Sequence, residues 1–292
     1  MANMRSIRNR IKSIESTRQI TRSMRMVAAS KLRKTQEQWM KVSEFAALSR
    51  EVLARLCESA DTLRHPLLLP RAEGALVLVL FVGNRGLCGT YNSALIHAAE
   101  ERIAAADGAV ELVVCGRWGR DQIASLGVPV RRSFDEISDT PSVEQAAALA
   151  DYLRELYLSG GVRSVELLFE QYCSALSQKP CCLPLLPLGS EAQRCGNGLI
   201  FEPDADTLLE ELSALVLQSS VYATMLEAKT GEHTARMTAM SAASDNTDEL
   251  IAKLTLQLNH ARQAAITTEI AEIVGGSNAL NQNEGGASWK KA

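Results

Sequence analysis

Glycine and proline are missing from long stretches at both ends of the chain, and this restricts the fold more than any other feature. All eight prolines fall within residues 66–203, the first glycine is Gly74, and the last stretch contains only Gly231 before residue 275. Residues 1–60 and 204–280 are therefore each predicted to form one long helix. As helices, residues 4–59 and 204–274 would measure about 80 and 100 Å. A globule of this size has a radius of gyration near ~19 Å, so the helices are predicted to project as a stalk.

Both predicted helices carry an apolar stripe. A helix alone in water is marginal, so each stripe indicates a packing partner. Because the two segments have opposite charge balance, they are predicted to pair with each other as an antiparallel coiled coil, and pairing with a separate chain is the alternative. The first stripe comprises Ile7, Ile11 and Ile14, then Ile20, Met24 and Val27 out of phase, then Trp39, Val42, Ala46, Ser49, Leu53 and Leu56. The second comprises Ile251, Leu254, Leu258, Ala261 and Ala265.

Strand and helix patterns alternate in residues 74–190. This alternation predicts a mainly parallel sheet covered by helices, a Rossmann-like α/β domain. The chain is thus predicted to be an α/β protein, with a long antiparallel coiled coil of N- and C-terminal helices plus a Rossmann-like central domain. The predicted strands are residues 74–82, 110–115, 128–134 and 165–172, with an edge strand at 180–187. The predicted helices between them are residues 91–106, 117–126 and 142–158.

Charge is distributed unevenly along the chain. Residues 1–41 contain eleven Lys or Arg against two Glu, whereas residues 202–284 contain thirteen Asp or Glu against four Lys or Arg. The basic stretch is typical of a solvated helix face, but also of a surface for nucleic acid, acidic lipid or an acidic partner. The seven cysteines have no regular spacing, which indicates neither a disulfide framework nor a zinc site. The longest apolar runs are too short to cross a bilayer.

The glycine-rich loop of residues 83–89 (GNRGLCG) follows the first strand and opens a helix. Backbone N–H groups at such a place can hold a phosphate. The spacing matches neither a dinucleotide fingerprint nor a P-loop, so a tight turn that seats the helix on the sheet is the preferred interpretation. Cys88 near the helix start is either a nucleophile with a lowered pKa or a packed thiol. The four histidines are scattered, and no metal or catalytic constellation is indicated.

Four segments of the chain are specific enough to carry a family resemblance. Residues 20–33 (ITRSMRMVAASKLR) look like the amino-terminal signature of F-type ATP synthase gamma subunits, and Arg85-Gly86-Leu87-Cys88-Gly89 is similar to a turn of that family. Residues 202–204 (EPD) resemble the family's entry into the last helix. Residues 235–246 and 261–270 look like its carboxy-terminal signature. The order and spacing also agree, so the resemblance covers nearly the whole chain.

The resemblance implies a subunit without a catalytic site, a cofactor or a metal of its own. In the family, one copy per complex rotates inside a hexamer of three alpha and three beta subunits and couples transmembrane ion flow to ATP synthesis or hydrolysis on the beta subunits. The implied partners also include the epsilon subunit and the c-subunit ring, with no nucleic acid and with membrane contact only through the complex. The expected location is the cytoplasmic face of a bacterial plasma membrane.

By the same resemblance, Arg262 and Gln263 match family positions that hydrogen-bond a loop of a beta subunit. Met24 and Arg25 are expected on the neighbouring face of the first helix, also in contact with beta subunits. Without the resemblance, the preferred interpretation of Arg262 is an ordinary solvated charge on the surface of a coiled coil. Residues 85–89 are expected to form a turn of the central domain.

The end of the last helix is predicted to turn within a bearing. A rotating shaft is expected to present small or apolar residues there, since strong ion pairs with the surrounding subunits would create deep energy minima at particular angles of rotation. Residues 281–292 are predicted to be a flexible polar tail. The bearing residues are Ile270, Ile273 and Val274, with Gly275, Gly276, Ala279 and Leu280 beside them.

Two rival hypotheses belong to other functional classes. One is an enzyme that binds a cofactor at residues 83–89 and uses Cys88 for chemistry. The other is a coiled-coil adaptor whose basic helix binds nucleic acid or anionic lipid, for which a steep salt dependence of binding is the discriminating measurement.

Overall fold

The structure is a computed structural model that describes residues 2–59, 65–174, 177–188, 202 and 204–287. Along the sequence, one long helix precedes and another follows an α/β segment with five strands. The helices are α1 (Ala2–Ser59), α2 (Tyr91–Ala104), α3 (Arg120–Ala124), α4 (Val143–Leu158) and α5 (Ala205–Ala287). The strands are β1 (Ala75–Phe81), β2 (Val110–Cys115), β3 (Val130–Phe134), β4 (Val162–Ser174) and β5 (Ser177–Leu186). The predicted fold class is confirmed.

The sheet has the strand order β3-β2-β1-β4-β5. Strands β1 to β4 run parallel, and β5 pairs antiparallel with β4 at one edge, where Leu167 lies opposite Leu183. Pro180 and Pro184 lie in this edge strand, the position that tolerates a missing N–H donor. The carboxyl end of the central strand β1 leads directly into the loop of residues 83–89.

Both faces of the sheet are covered, which explains the uninterrupted apolar sequence of β1. Alternate residues of β1 point to opposite faces. Val77, Val79 and Phe81 pack with side chains of α4 and α5. Leu76, Leu78 and Leu80 pack with side chains of α2 and α3. A central strand of this kind is buried on both sides and has no polar alternation.

The contacts divide the chain into two compact units. The larger unit comprises residues 25–240, and the smaller unit comprises residues 1–24 and 241–292. In the larger unit, Leu53 and Leu56 of α1 pack against Leu209 and Val216 of α5. Later residues of α1 thus meet earlier residues of α5, which confirms antiparallel pairing there.

The smaller unit also contains an antiparallel helix pair. Arg18 and Arg22 hydrogen-bond Asp248 over 3.0 and 2.8 Å, and Arg22 lies 3.4 Å from the hydroxyl of Ser244. The partly buried positions of α5 beyond Asp248 match the predicted stripe: Ile251, Leu254, Leu258, Ala261 and Ala265.

In the middle of the α1 stripe the prediction is wrong for Ile20 and Val27, whereas Met24 is half-buried as predicted. Ile20 and Val27 are 59% and 53% exposed, whereas Thr21 and Ala28 are buried. The 3,4 repeat continues in phase through polar Arg18 and Thr21. These residues fit because Arg18 is paired with Asp248 and the Thr21 hydroxyl donates to the carbonyl of Arg18.

Two helices differ in length from the prediction. Helix α3 has only five residues, because Gly119 precedes it with φ 75° and Gly127 follows with φ 72°. Helix α5 continues to Ala287 instead of ending at residue 280, through residues assigned to the polar tail. The remaining tail residues, 288–292, lie outside the described residues.

Candidate functional site at the junction of α5 and the sheet

The loop of residues 83–89 forms the tight turn that the sequence predicts. The N–H of Gly83 donates to the side-chain oxygen of Asn92 over 2.8 Å, which ties the start of the turn to α2. Leu87 and Gly89 have positive φ angles of 62° and 59°. A positive φ is uncommon for a residue with a side chain, so the conformation of Leu87 depends on the contacts around the turn.

Helix α5 reaches this turn through a network of three charged side chains. Lys229 Nζ donates to Glu232 Oε2 over 2.7 Å, and Arg236 Nη2 donates to Glu232 Oε1 over 2.6 Å. Arg236 Nη2 also lies 3.3 and 3.5 Å from the carbonyl oxygens of Arg85 and Gly86. The three charged side chains are 6%, 2% and 11% exposed, so water screens them little. We call Lys229, Glu232 and Arg236 the buried charge network.

The ionisation of Glu232 is set by these contacts. Burial by itself raises the pKa of a carboxyl group, but the positive charges of Lys229 and Arg236 outweigh it and lower the pKa of Glu232 below its ordinary value. The network therefore holds a buried carboxylate between two cations. Removing one member leaves the remaining charges poorly compensated in a region of low dielectric.

A second attachment lies in the loop between β3 and α4. His233 Nε2, on α5, donates to the backbone oxygen of Asp139 over 2.8 Å, and Lys31 of α1 forms an ion pair with the Asp139 carboxylate. Asn84 donates to the carbonyl of Ile137 over 2.6 Å and so joins the two loops. Both long helices are therefore fastened to the carboxyl edge of the sheet.

Close backbone contact completes the junction. A Cβ atom at Gly231 would lie 3.2 Å from the carbonyl oxygen of Glu170 on β4, so α5 passes close to the strand. The hydroxyl of Tyr91, at the start of α2, donates to the carbonyl of Ala228 over 3.0 Å. Burial raises the pKa of the Glu170 carboxyl to about 7.

The structure argues against a reactive Cys88. Its side chain is buried, and desolvation raises the pKa of the thiol above its ordinary value. The Asn92 amide donates to its sulfur over 3.3 Å. The suggestion that a helix start lowers the pKa is therefore wrong, and Cys88 is a packed thiol. Gly83 and Cys88 of the turn thus both contact the side chain of Asn92, so the turn packs against α2.

Two of the residues expected to contact beta subunits, Met24 and Arg262, lie far apart along the helix pair of the smaller unit. Met24 follows Arg22 by two residues, so in the antiparallel register it faces the region just before Ser244 of α5. Arg262 and Gln263 lie about 20 residues further along α5, which is about 30 Å of helix. The contacts expected of Met24, Arg25, Arg262 and Gln263 with beta subunits stay a prediction. Arg25, Arg262 and Gln263 are exposed and Met24 is half-buried.

The predicted bearing residues are exposed. Ile270, Ile273 and Val274 are 57%, 67% and 54% exposed, and every residue from 266 to 278 is likewise exposed. A Cβ atom at Gly275 or Gly276 would meet no atom within 4 Å. This stretch of α5 presents apolar surface to its surroundings. The side chains of Ala279 and Leu280 lie outside the described residues.

Sequence reasoning did not find the buried charge network. Its signal is the spacing of opposite charges, since Lys229, Glu232 and Arg236 are three and four residues apart and share one helix face. Lys229 and Arg236 are also two of only four basic residues in residues 202–284. Nothing in that spacing distinguishes a buried network from a solvated one.

Two searches of the described ranges gave no further site. Within them, no group of three or more His, Cys, Asp or Glu side chains is placed to hold a metal ion. Likewise, none of the helices in these ranges is long and apolar enough to span a membrane.

Comparison with known proteins matches the chain along nearly its whole length. A family model described as ATP synthase matches residues 3–280. The ATP synthase gamma chain of Desulfitobacterium hafniense is 44% identical over 280 residues, which cover 96% of this chain and 100% of that protein. The ATP synthase gamma chain of Heliobacterium modesticaldum is 41% identical over 290 residues, with the same coverage of 96% and 100%.

Solved structures show a similar fold. A chain of the Euglena gracilis mitochondrial ATP synthase, in a structure of OSCP, F1 and c-ring, has a TM-score of 0.69 at 20% identity and covers 97% of this chain. That match covers 96% of the Euglena chain. A chain of the central stalk and c-ring of the Tetrahymena thermophila enzyme has a TM-score of 0.60 at 23% identity and covers 77% of this chain and 99% of its own. At these identities the likeness concerns the fold.

Proposed function

The chain belongs to the family of ATP synthase gamma chains, and we propose from this membership that it is the rotating central shaft of an F-type ATP synthase. The observation that carries the proposal is the 44% identity to a bacterial gamma chain, over 96% of this chain and 100% of the relative. The family is that of a non-catalytic subunit. We propose accordingly that the chain has no catalytic site and serves the nucleotide sites of other subunits.

Two segments of α5 fit the two tasks of a shaft. Residues 228–236 are fastened to the α/β domain by hydrogen bonds and close backbone contact. Residues 266–278 are exposed on all sides and include four large apolar side chains, Ile266, Ile270, Ile273 and Val274. Torque applied to the domain would be carried along a continuous helix to surface that surrounding subunits can contact.

Rotation of such a shaft acts by differential contact. An asymmetric surface that turns inside a ring touches each surrounding subunit differently at each angle. The conformational equilibrium of each subunit shifts according to how well its states fit the surface that faces it. We propose that this sequence of population shifts drives the beta subunits through their binding states in turn.

Particular residues are proposed for these contacts. Exposed Arg262 and Gln263 would hydrogen-bond a loop of a beta subunit, and Met24 and Arg25 would contact beta subunits from the first helix. Ile270, Ile273 and Val274 would form the bearing surface. Because this surface is apolar, it can slide against the surrounding subunits without the deep energy minima that ion pairs would create.

The remaining partners are also proposed. The chain would be present once per complex, inside a hexamer of three alpha and three beta subunits, and its α/β domain would lie against the epsilon subunit and the c-ring. The expected location is the cytoplasmic face of a bacterial plasma membrane, reached through the complex. The solved structures of similar fold, which include the rotor and an OSCP, F1 and c-ring assembly of the Euglena gracilis mitochondrial ATP synthase, are consistent with such an assembly.

Reconstitution tests the proposal. Alpha and beta subunits from the same source are purified without this chain, with it, and with it truncated before Asn259, and ATP hydrolysis is measured. We expect substoichiometric incorporation of the chain and faster turnover only with the intact last helix. If the full chain does not join the hexamer, membership of the family does not extend to this function.

The bearing has a sharper test. Ile273→Asp places a charge on the exposed apolar surface, and we expect it to slow coupled rotation in the assembled complex. Ser277→Asp adds the same charge one helical turn further on without removing an apolar side chain, and its effect should be smaller. Unchanged rotation in Ile273→Asp would exclude Ile273 from the bearing.

A further inference from the structure

The buried charge network is unusual because burial of charge is costly. Lys229 and Glu232 are 5% and 1% exposed as whole residues. The desolvation of two or three charges is seldom repaid by their mutual attraction, and apolar residues of similar size often give equal stability. A network of this kind therefore invites an explanation other than stability of the fold.

The network differs in kind from the other contacts between α5 and the sheet. Leu217, Val221 and Met225 bury apolar surface against the sheet. Such contacts are non-directional and resist sliding of the helix only weakly. Hydrogen bonds from a charged group have a definite length and direction, and they weaken steeply when the donor is displaced.

The network also joins α5 to the backbone of the turn and not to a mobile side chain. Arg236 Nη2 contacts Glu232 on its own helix and the carbonyl oxygens of Arg85 and Gly86 in the turn. A Cβ atom at Gly83 would lie 3.2 Å from the Glu232 carboxyl group, so the carboxylate lies directly against the start of the turn. Any rotation of α5 relative to the sheet would have to displace these groups.

We propose that Lys229, Glu232 and Arg236 are positioning residues that keep the turn of residues 83–89 fixed on α5 when force acts between them. This inference rests on the proposed function as a rotating shaft. Glu232 Oε1 holds the guanidinium of Arg236 in place, and Lys229 binds Oε2 of the same carboxylate. Arg236 in turn contacts the carbonyl oxygens of the turn. The network then makes α5 turn with the α/β domain instead of slipping against it.

The test compares two arginines in the reconstituted, ion-pumping complex. Arg236→Met keeps an unbranched stem and removes the donors to the turn. Arg117→Met is the matched control, since Arg117 donates to the carbonyl of Asp135 over 3.0 Å and no bond to α5 is found for it within the described ranges. The measured quantity is the number of ions pumped per ATP hydrolysed.

We expect Arg236→Met to lower this ratio by about half or more while ATP hydrolysis continues, because charged hydrogen bonds to the turn are lost. Arg117→Met should keep the wild-type ratio. Arg236→Lys retains the charge with a shorter reach, so it should give an intermediate ratio and covers the case in which Arg236→Met does not fold. If both Arg236 variants pump with the wild-type ratio, the inference is overturned.

A disulfide supplies an independent test of force transmission. A Cβ atom at Gly89 would lie 3.8 Å from Cβ of Ala239, the separation typical of a disulfide between the turn and α5. Gly89→Cys with Ala239→Cys is introduced into the Arg236→Met chain and, because any side chain is strained at the φ of 59° of Gly89, also into the wild-type chain as the control. Oxidation should restore the pumping ratio and reduction should abolish it again. An oxidised, cross-linked complex that still pumps with the low ratio overturns the inference. Failure of the proposed function is recognised separately, because the wild-type chain would then support neither hydrolysis nor pumping.

Discussion

One helix passes through two opposite environments in this protein. In residues 213–240 of α5, most side chains are buried or half-buried, and charged, polar and apolar side chains are among them. In residues 266–278 every side chain is exposed, including large apolar ones. Nothing in the helical backbone distinguishes these segments, so the difference lies entirely in what surrounds them.

The difference shows where the stability of each segment comes from. Helices in proteins are stabilised mainly by the packing of one face, and much less by intrinsic propensity. The buried segment obtains this packing from the chain itself. The exposed segment keeps apolar surface free of partners among the described residues, which is typical of a surface that binds another protein. Substitutions in the two segments should therefore affect different properties.

The largest effect on stability is expected for Glu232→Ala. This change leaves Lys229 and Arg236 buried without their carboxylate and should lower the free energy of unfolding by about 3–5 kcal/mol. Arg262→Ala, in the exposed part of α5, should change it by less than about 0.5 kcal/mol. Urea denaturation of the two purified variants checks the comparison. Similar small effects would mean that the network contributes nothing to the fold.

Glu170 should give the junction a distinctive pH dependence. Its pKa is raised from 4.5 to about 7 by burial. Between pH 4.5 and about 7 the folded chain therefore binds more protons than the unfolded chain, so the free energy of unfolding falls as the pH rises. The contribution of Glu170 to this free energy is fully present below pH 4.5 and is lost as the pH rises through about 7.

We expect Glu170→Gln to be more stable than wild type at about pH 8, by up to about 3 kcal/mol, and to match it near about pH 4. The measurement is the thermal unfolding midpoint across this pH range. Glu269→Gln, in the exposed segment, is the control and should follow the wild-type curve. A parallel shift of the Glu170→Gln curve at all pH values would contradict this account.

Two glycines of α5 should respond to the same substitution with opposite sign. At Gly231 a Cβ atom would lie 3.2 Å from the Glu170 carbonyl oxygen, which belongs to the backbone of β4 and not to a flexible side chain. Gly231→Ala should therefore destabilise by about 1 kcal/mol after the gain in helix propensity is counted. At Gly276 there is open space, so Gly276→Ala should stabilise the helix by about 0.5–1 kcal/mol. Denaturant unfolding and helical circular dichroism of both variants measure the signs.

Local pattern was enough to predict most of the fold. The absence of Gly and Pro marked α1 and α5, and continuous apolar runs marked β1 and β2. The pattern failed where a polar residue occupies a packed position. Apolar Ile20 and Val27 suggested a change of phase, but Arg18 and Thr21 continue the seam because their polar groups find partners.

The candidate site was less accessible to sequence reasoning. The turn at residues 83–89 follows from its glycines and its place after a strand. The carbonyl groups of the turn that Arg236 contacts, however, lie about 150 residues away in the chain, and a single sequence gives no information on such pairs. The mutual distance of Met24 and Arg262 was likewise fixed only by the antiparallel register.

The smallest effect is expected at Asp248, where the smaller unit has its own charge cluster. The hydrogen bond from Arg18, with a second from Arg22, lowers the pKa of this carboxyl group, so its contribution is present at neutral pH and fades as the pH falls. Unlike the buried charge network, these side chains are 32–49% exposed. Asp248→Asn should therefore lower the unfolding midpoint only slightly at low salt. At about 1 M salt, where screening acts within about 3 Å, the difference should vanish. A difference that persists at high salt would show that this cluster, too, acts as a buried network, and the contrast between the two parts of α5 would then concern apolar packing alone.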